Sequence, residues 1–209
     1  MMATSDHVDA ALARLRAGNA RFVAGTAGAG MLAAVSRRAE VAAAQRPFAI
    51  VLGCSDSRVP VEIVFDQGIG DLFVIRVAGN VVAPSLVGSV EFAAAQFGTR
   101  LVVVLGHTGC GAVQATLEQM HQPAGLQSPN LRSIVERIRP ALEPLVAGPV
   151  PDGEDLVQRA VLANVRASVR QLCHGSRIIE ALIDADGLRV VGAVYGLGSG
   201  VVQWLDDQP

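Results

Sequence analysis

The chain has 209 residues, 51% of them apolar and 17% charged, with a net charge of −2. That length suits one domain with a sizeable buried core, and a mean hydropathy of +0.40 excludes a disordered chain. Its seventeen basic residues are all arginine, so chemistry that needs a lysine is excluded: the P-loop, pyridoxal catalysis and Schiff-base aldolases.

In chain order, apolar residues at Val8, Ala11, Leu12, Leu15, Phe22 and Val23 fall near helical spacing. They predict a helix over Val8–Val23 with Asp6 as its N-cap. A Gly/Ala-rich loop follows from Gly25 to Gly30. A second helix is predicted over Ser36–Ala44, ending before Pro47. The pattern then changes to short continuous apolar runs, Phe48–Gly53, Leu72–Ile75 and Leu101–Leu105. A late run, Leu188–Tyr195, is interrupted by Arg189 and Gly192. Such runs mark parallel strands buried on both faces. Helices are predicted between and after them over Pro84–Phe97, Ala112–Met120, Asn130–Leu145, Glu154–Leu172 and Ser176–Ile183. The stretch Pro140–Gly153 carries four prolines and reads as a bend between helices. Gly196–Gly200 lacks the spacing of a phosphate-binding loop and reads as a hairpin turn.

The expected fold class is α/β. A central, mostly parallel sheet of about four parallel strands plus a C-terminal edge strand is flanked by helices. It forms one domain, with residues 1–46 as an N-terminal helical arm and 47–209 as the α/β core.

A pI near 6.1 and 4% aromatic residues point to neither nucleic acid nor an anionic membrane surface as a partner. Three cysteines are too few, and odd in number, for a disulfide scaffold. The N-terminus has no signal-peptide pattern, and glycines interrupt the longest uncharged stretches, Leu101–Leu117 and Val190–Leu205. A cytoplasmic location is expected.

In open α/β sheets, ligands bind at the carboxyl ends of strands. The first strand runs into Cys54-Ser55-Asp56-Ser57-Arg58, and the third into His107-Thr108-Gly109-Cys110-Gly111. Two thiols and an imidazole are ligand types for zinc, and three protein ligands leave the fourth position open, as catalytic sites do. Asp56 and Arg58 alternate with Cys54 and can pair beside the metal. Each residue alone would more often be a buried thiol, a capping imidazole or a surface ion pair. The two motifs together, each directly after a buried strand, are far more specific.

These motifs resemble those of the β-class carbonic anhydrases, and the resemblance covers nearly the whole chain. It includes Gly18-Asn19-Ala20-Arg21-Phe22, Gly53–Pro60, Phe65-Asp66-Gln67-Gly68, Phe73–Asn80, Gly106–Ala115, Val194-Tyr195 and Gly198-Ser199-Gly200. It implies reversible hydration of carbon dioxide to bicarbonate and a proton, with one Zn2+ per subunit held by Cys54, His107 and Cys110. Asp56 would accept a hydrogen bond from the zinc-bound water, and Arg58 would keep Asp56 off the metal. In a closed state Asp56 itself would be the fourth ligand. Gln45 would reach a substrate oxygen, Phe73, Ala78 and Phe92 would line an apolar pocket, and the Gly111 N–H would hold bicarbonate. The resemblance also implies a homodimer or tetramer with the active site at the dimer interface. Two thiolates donate more charge to the metal than histidines do, so activity is expected to favour alkaline pH.

Some relatives carry a second bicarbonate site made of a tryptophan, an arginine and a tyrosine. Arg76 and Tyr195 match two of those positions, but Val51 stands at the third and the only tryptophan is Trp204. A site of that form is not expected. Hydrolysis of carbonyl sulfide or carbon disulfide on the same zinc site is the nearest rival, and a non-catalytic zinc or redox-sensing module is a further one. His7, His121 and His174 are expected to be solvated, Cys173 to be a buried thiol, and Asp66 and Asp71 to brace loops.

Overall fold

Two strands, β1 (Ala49–Cys54) and β3 (Leu101–His107), are buried at every position, which accounts for their uninterrupted apolar sequence. Alternate residues serve opposite sides of the sheet. Ile50, Leu52 and Cys54, with Val102 and Val104, enter one core, whereas Ala49 and Val51, with Leu101, Val103 and Leu105, enter the other. The computed structural model describes residues 4–28, 34–121, 128–148 and 155–205.

β1 and β3 run parallel at the centre of the sheet. β2 (Leu72–Val77) pairs parallel outside β1, and β4 (Arg189–Tyr195) pairs parallel outside β3. β5 (Val202–Leu205) closes the far edge antiparallel, giving the order β2-β1-β3-β4-β5. This is the expected architecture. One face of the sheet is covered by α4 (Pro84–Phe97), α5 (Gly111–His121), α6 (Pro129–Ala147), α7 (Leu156–His174) and α8 (Arg177–Asp186). The other face packs on α1 (Thr4–Val23) and the short α3 (Val61–Val64). Before β1 lies α2 (Ala34–Val41).

Several expectations shift. The first helix begins at Thr4, so Asp6 does not cap it but lies in its first turn, where a carboxylate suits the helix dipole. The second helix ends at Val41, three residues earlier than expected. The short α3 has too few residues to show a period. The proline-rich stretch is not a bend as far as Ala147, because α6 runs through both Pro140 and Pro144. Those prolines lie four residues apart on the exposed side, where water can reach the carbonyls they leave unpaired, while Ile138 and Leu142 anchor the helix in the core. The rest of that stretch, 149–153, lies outside the described residues.

The turn after β4 is the expected hairpin: Gly196 N–H donates to the Val201 carbonyl at 2.9 Å. The hairpin is tied to the start of the chain through Asn19. This buried amide donates to the carbonyls of Val64 (3.1 Å) and Gly200 (2.9 Å) and accepts from the Val202 N–H (2.9 Å). Its neighbour Gly18 allows that approach, because a Cβ there would lie 1.8 Å from the Phe65 carbonyl oxygen. Among the described residues, no helix is long and apolar enough to cross a membrane.

Candidate metal centre

The carboxyl ends of β1 and β3 deliver Cys54 and His107, and the tight turn after β3 delivers Cys110 at the start of α5. One ligand atom from each of Cys54, His107 and Cys110 lies within 4.8 Å of the others, and all three residues are buried. Corners of a tetrahedron around zinc, with Zn–S near 2.3 Å, would stand about 3.8 Å apart, so a small closure of this cluster completes three of them.

His107 shows the fit most clearly. Its Nδ1 lies 3.0 Å from the Thr108 carbonyl, which can only accept, so Nδ1 carries the proton and Nε2 presents a lone pair. That Nε2 is buried and, among the described residues, has no hydrogen-bond partner. A buried acceptor without a partner is costly, and a cation among two thiols satisfies it.

One of the two sulfurs is prepared as an anion, and the other holds the proton they share. The Cys110 S–H donates to Cys54, which draws the Cys54 thiol well below its ordinary range and pushes that of Cys110 up. Cys54 Sγ also accepts the Gly79 N–H at 3.3 Å. Cys110 receives N–H groups of Val113 and Ala112 from the first turn of α5. One shared proton on a pair of sulfurs is the arrangement that a divalent cation replaces.

Asp56 and Arg58 sit at the mouth. The Asp56 carboxylate accepts from Arg58 Nε (2.9 Å), from Arg58 Nη2 (2.7 Å) and from the Arg58 backbone N–H (2.9 Å). The guanidinium holds this carboxyl well below the usual carboxylate range. Asp56 Oδ2 lies 3.8 Å from His107 Nε2, within reach of the cluster but turned to arginine. Arg76 fixes the same loop from β2, donating to the carbonyls of Cys54 (3.0 Å) and Asp56 (2.7 Å).

The remaining expected site residues divide into two groups. Ala78 directly follows Val77, the register partner of Cys54, and Gly111 directly follows Cys110, so both adjoin the cluster. Gln45, Phe73 and Phe92 are not brought to it. Phe73 pairs in register with Ile50, four residues before Cys54, or about 13 Å along the strand. Its ring stacks with Phe92 and Phe97 at centroid distances of 6.2 and 6.0 Å, and Phe92 is 52% exposed. Gln45 is exposed before the opposite end of β1.

Arg76 and Tyr195 lie on β2 and β4, with two strands between them. His7, His121 and His174 are exposed, and Cys173 is a buried free thiol that burial pushes up.

The carbonic anhydrase family profile matches residues 49–202. Over 197 residues the chain is 41% identical to a carbonic anhydrase of Mycolicibacterium smegmatis, covering 93% of this chain and 91% of the relative. Its fold aligns with the β-carbonic anhydrase CafA of Aspergillus fumigatus at a TM-score of 0.72 and 28% identity, over 96% of this chain and 92% of that one. The chain belongs to the β-class carbonic anhydrases.

Carbonic anhydrase 2 of Mycobacterium tuberculosis is 40% identical over 191 residues, covering 91% of this chain and 89% of its own. A tetrameric β-carbonic anhydrase of Sordaria macrospora aligns at a TM-score of 0.72 with 26% identity, over 84% of this chain and 90% of that chain. The clustering of Cys54, His107 and Cys110 and the pairing of Asp56 with Arg58 were legible in the sequence. Residues that support them were not. Gly79 and Asn80 adopt left-handed backbone (φ 71° and 44°) beneath Cys54, and Asn164 and Ser168 of α7 bind their carbonyls. Polar residues four apart on an otherwise apolar helix face were the available signal.

Proposed function

We propose that this β-class carbonic anhydrase hydrates carbon dioxide reversibly at a zinc ion held by Cys54, His107 and Cys110. The observation that carries the reading is the buried, unpartnered Nε2 of His107 facing two thiols, with Asp56 turned away toward Arg58. Zinc held there would supply a hydroxide nucleophile near neutral pH, with the fourth position left open.

The protein's own residues do the rest. Asp56, ionised by Arg58, accepts the hydrogen bond of the nucleophile's remaining proton and so aims its lone pair at carbon. The bidentate arginine fork fixes the carboxylate's orientation, which a lysine would not. At the start of α5 the Gly111 N–H meets the negative oxygen of bicarbonate, helped by the helix dipole. Ala78 contributes a small apolar wall.

Gln45, Phe73 and Phe92 cannot serve the cluster of their own chain. We assign them to the site of a second protomer, so that the substrate pocket is composite across a dimer. The exposed Phe92 and the outer strand β2, which among the described residues pairs only with β1, supply a surface suited to that contact.

Stopped-flow carbon dioxide hydration from neutral to alkaline pH, with zinc measured on the same sample, tests the reading. Turnover proportional to zinc content supports it. Turnover independent of zinc, or sulfide release from carbonyl sulfide with no hydration, overturns it.

A further inference from the structure

We infer that Asn164 is a positioning residue of the metal centre, acting on the Cys54 sulfur through the turn at Ala78–Asn80. This inference rests on the proposed zinc site. The chain of contacts is short and buried. Asn164 Nδ2 donates to the Gly79 carbonyl at 2.8 Å, and the N–H of Gly79 donates to Cys54 Sγ at 3.3 Å. One turn further along α7, Ser168 Oγ donates to the Asn80 carbonyl at 3.2 Å. Asn164 and Ser168 are 3% and 2% exposed, so neither bond has water as a substitute.

The turn needs such holding. Gly79 and Asn80 both have positive φ, 71° and 44°, and the second is not a glycine. Side chains with a Cβ rarely adopt that backbone unless their surroundings impose it. A Cβ on Gly79 would lie 2.8 Å from Ile138 Cδ1 and 3.0 Å from Ala112 Cβ, so the turn is wedged between α5 and α6 while α7 grips its carbonyls. Among the described residues the buried Asn80 Nδ2 has no partner, so that amide nitrogen does not supply the restraint. The two α7 side chains do.

The consequence is chemical. An N–H aimed at a thiolate lowers the energy of the sulfur lone pairs and reduces the charge the sulfur gives to a metal. If the carbonyl side of the Gly79 turn is released, its N–H leaves the sulfur. Asn164 therefore sets how strongly Cys54 donates, without touching substrate or metal.

Cobalt(II) provides the readout, because thiolate-to-cobalt charge transfer reports the sulfur's donor energy directly. In Asn164→Ala the band is expected at lower energy than in the wild-type protein, while zinc affinity falls about 10-fold in chelator competition because the turn no longer holds the sulfur in place. Ser168→Ala, which barely alters volume, is expected to move the band the same way by less, and it carries the test if the first variant does not fold. Ile179→Val, a trim of the buried core away from the turn, should leave the band in place. A band unmoved in the α7 variants, or moved equally by Ile179→Val, overturns the inference alone. Absence of any thiolate-to-cobalt band in the wild-type protein overturns the proposed metal site as well.

Discussion

Arg58 holds Asp56 by both carboxylate oxygens, at 2.9 and 2.7 Å, and in that grip Asp56 Oδ2 stays 3.8 Å from His107 Nε2. The pair is both the orienting device for the nucleophile and the latch that keeps a fourth protein ligand away. Arg58→Ala should therefore release Asp56 toward the metal and reduce carbon dioxide hydration by about 100-fold or more, with zinc retained. Asp56→Asn should lose a similar factor, also with zinc retained. Turnover within a few-fold of the wild-type protein in either variant would refute the assigned roles.

Metal should also stabilise the fold, because without it the two buried sulfurs share one proton and the buried His107 Nε2 has no partner among the described residues. Saturating zinc at 100 times its Kd contributes about 2.7 kcal/mol, so stripping it should lower Tm by about 5–10 °C for a chain of this size. Cys54→Ala should melt near the stripped protein and show no stoichiometric zinc by elemental analysis. Full zinc occupancy in that variant would remove Cys54 from the ligand set.

Away from the site, Asp66 accepts from Arg21 Nε at 2.5 Å and from the Gly28 N–H at 3.0 Å, and the arginine lowers its pKa. A carboxyl with a depressed folded pKa contributes stability that is complete above its unfolded value of about 3.9 and is lost as pH falls through the folded value. Asp66→Asn should cost about 1 kcal/mol at neutral pH, near the low end for such bonds because the Arg21 side chain is 45% exposed. Urea melts should show that difference constant down to about pH 5 and shrinking in more acidic buffer. A difference that grows on acidification would contradict the pairing.

A composite pocket predicts complementation between two inactive proteins. Asp56→Asn and Gln45→Ala should each be impaired, and neither substitution touches the other's site in the same chain. In a randomly mixed twofold dimer, half the molecules are mixed and one of their two sites is intact, so about a quarter of wild-type activity should return. No recovery after confirmed subunit exchange would place Gln45 outside the active site.

Gly18→Ala should be severely destabilising, because the added methyl would sit 1.8 Å from the Phe65 carbonyl oxygen. The clash is with backbone on a buried helix contact, so about 3 kcal/mol is expected, or about 6–12 °C in Tm. A change within 2 °C in calorimetry would show that α1 can move away from α3 freely.

Legibility tracked the length over which a signal repeats. β1 and β3 declared themselves because burial on both faces forces five or more consecutive apolar residues, and α4 was bounded correctly as Pro84–Phe97. Asp56 and Arg58 were legible because their separation from Cys54 is local. The four-residue α3 was invisible, being shorter than two helical periods. Pro140 and Pro144 misled because their cost depends on which side of α6 meets water, a tertiary fact. Asn164 and Gly79 are 85 residues apart in sequence, and nothing local to either reveals the other. The separation of Gln45, Phe73 and Phe92 from Cys54 became visible only once β1 gave them a distance.

Asn19 binds the Gly200 carbonyl and the Val202 N–H, partners 181 and 183 positions away. During synthesis, then, α1 is made well before the hairpin that supplies two of the three partners of Asn19. Until the Gly196–Val202 hairpin leaves the ribosome, the buried stripe of Val8, Ala11 and Leu15 has only part of its seat. Helix α1 is made early and secured late, which gives the fold a step that waits for the hairpin at Gly196–Val202.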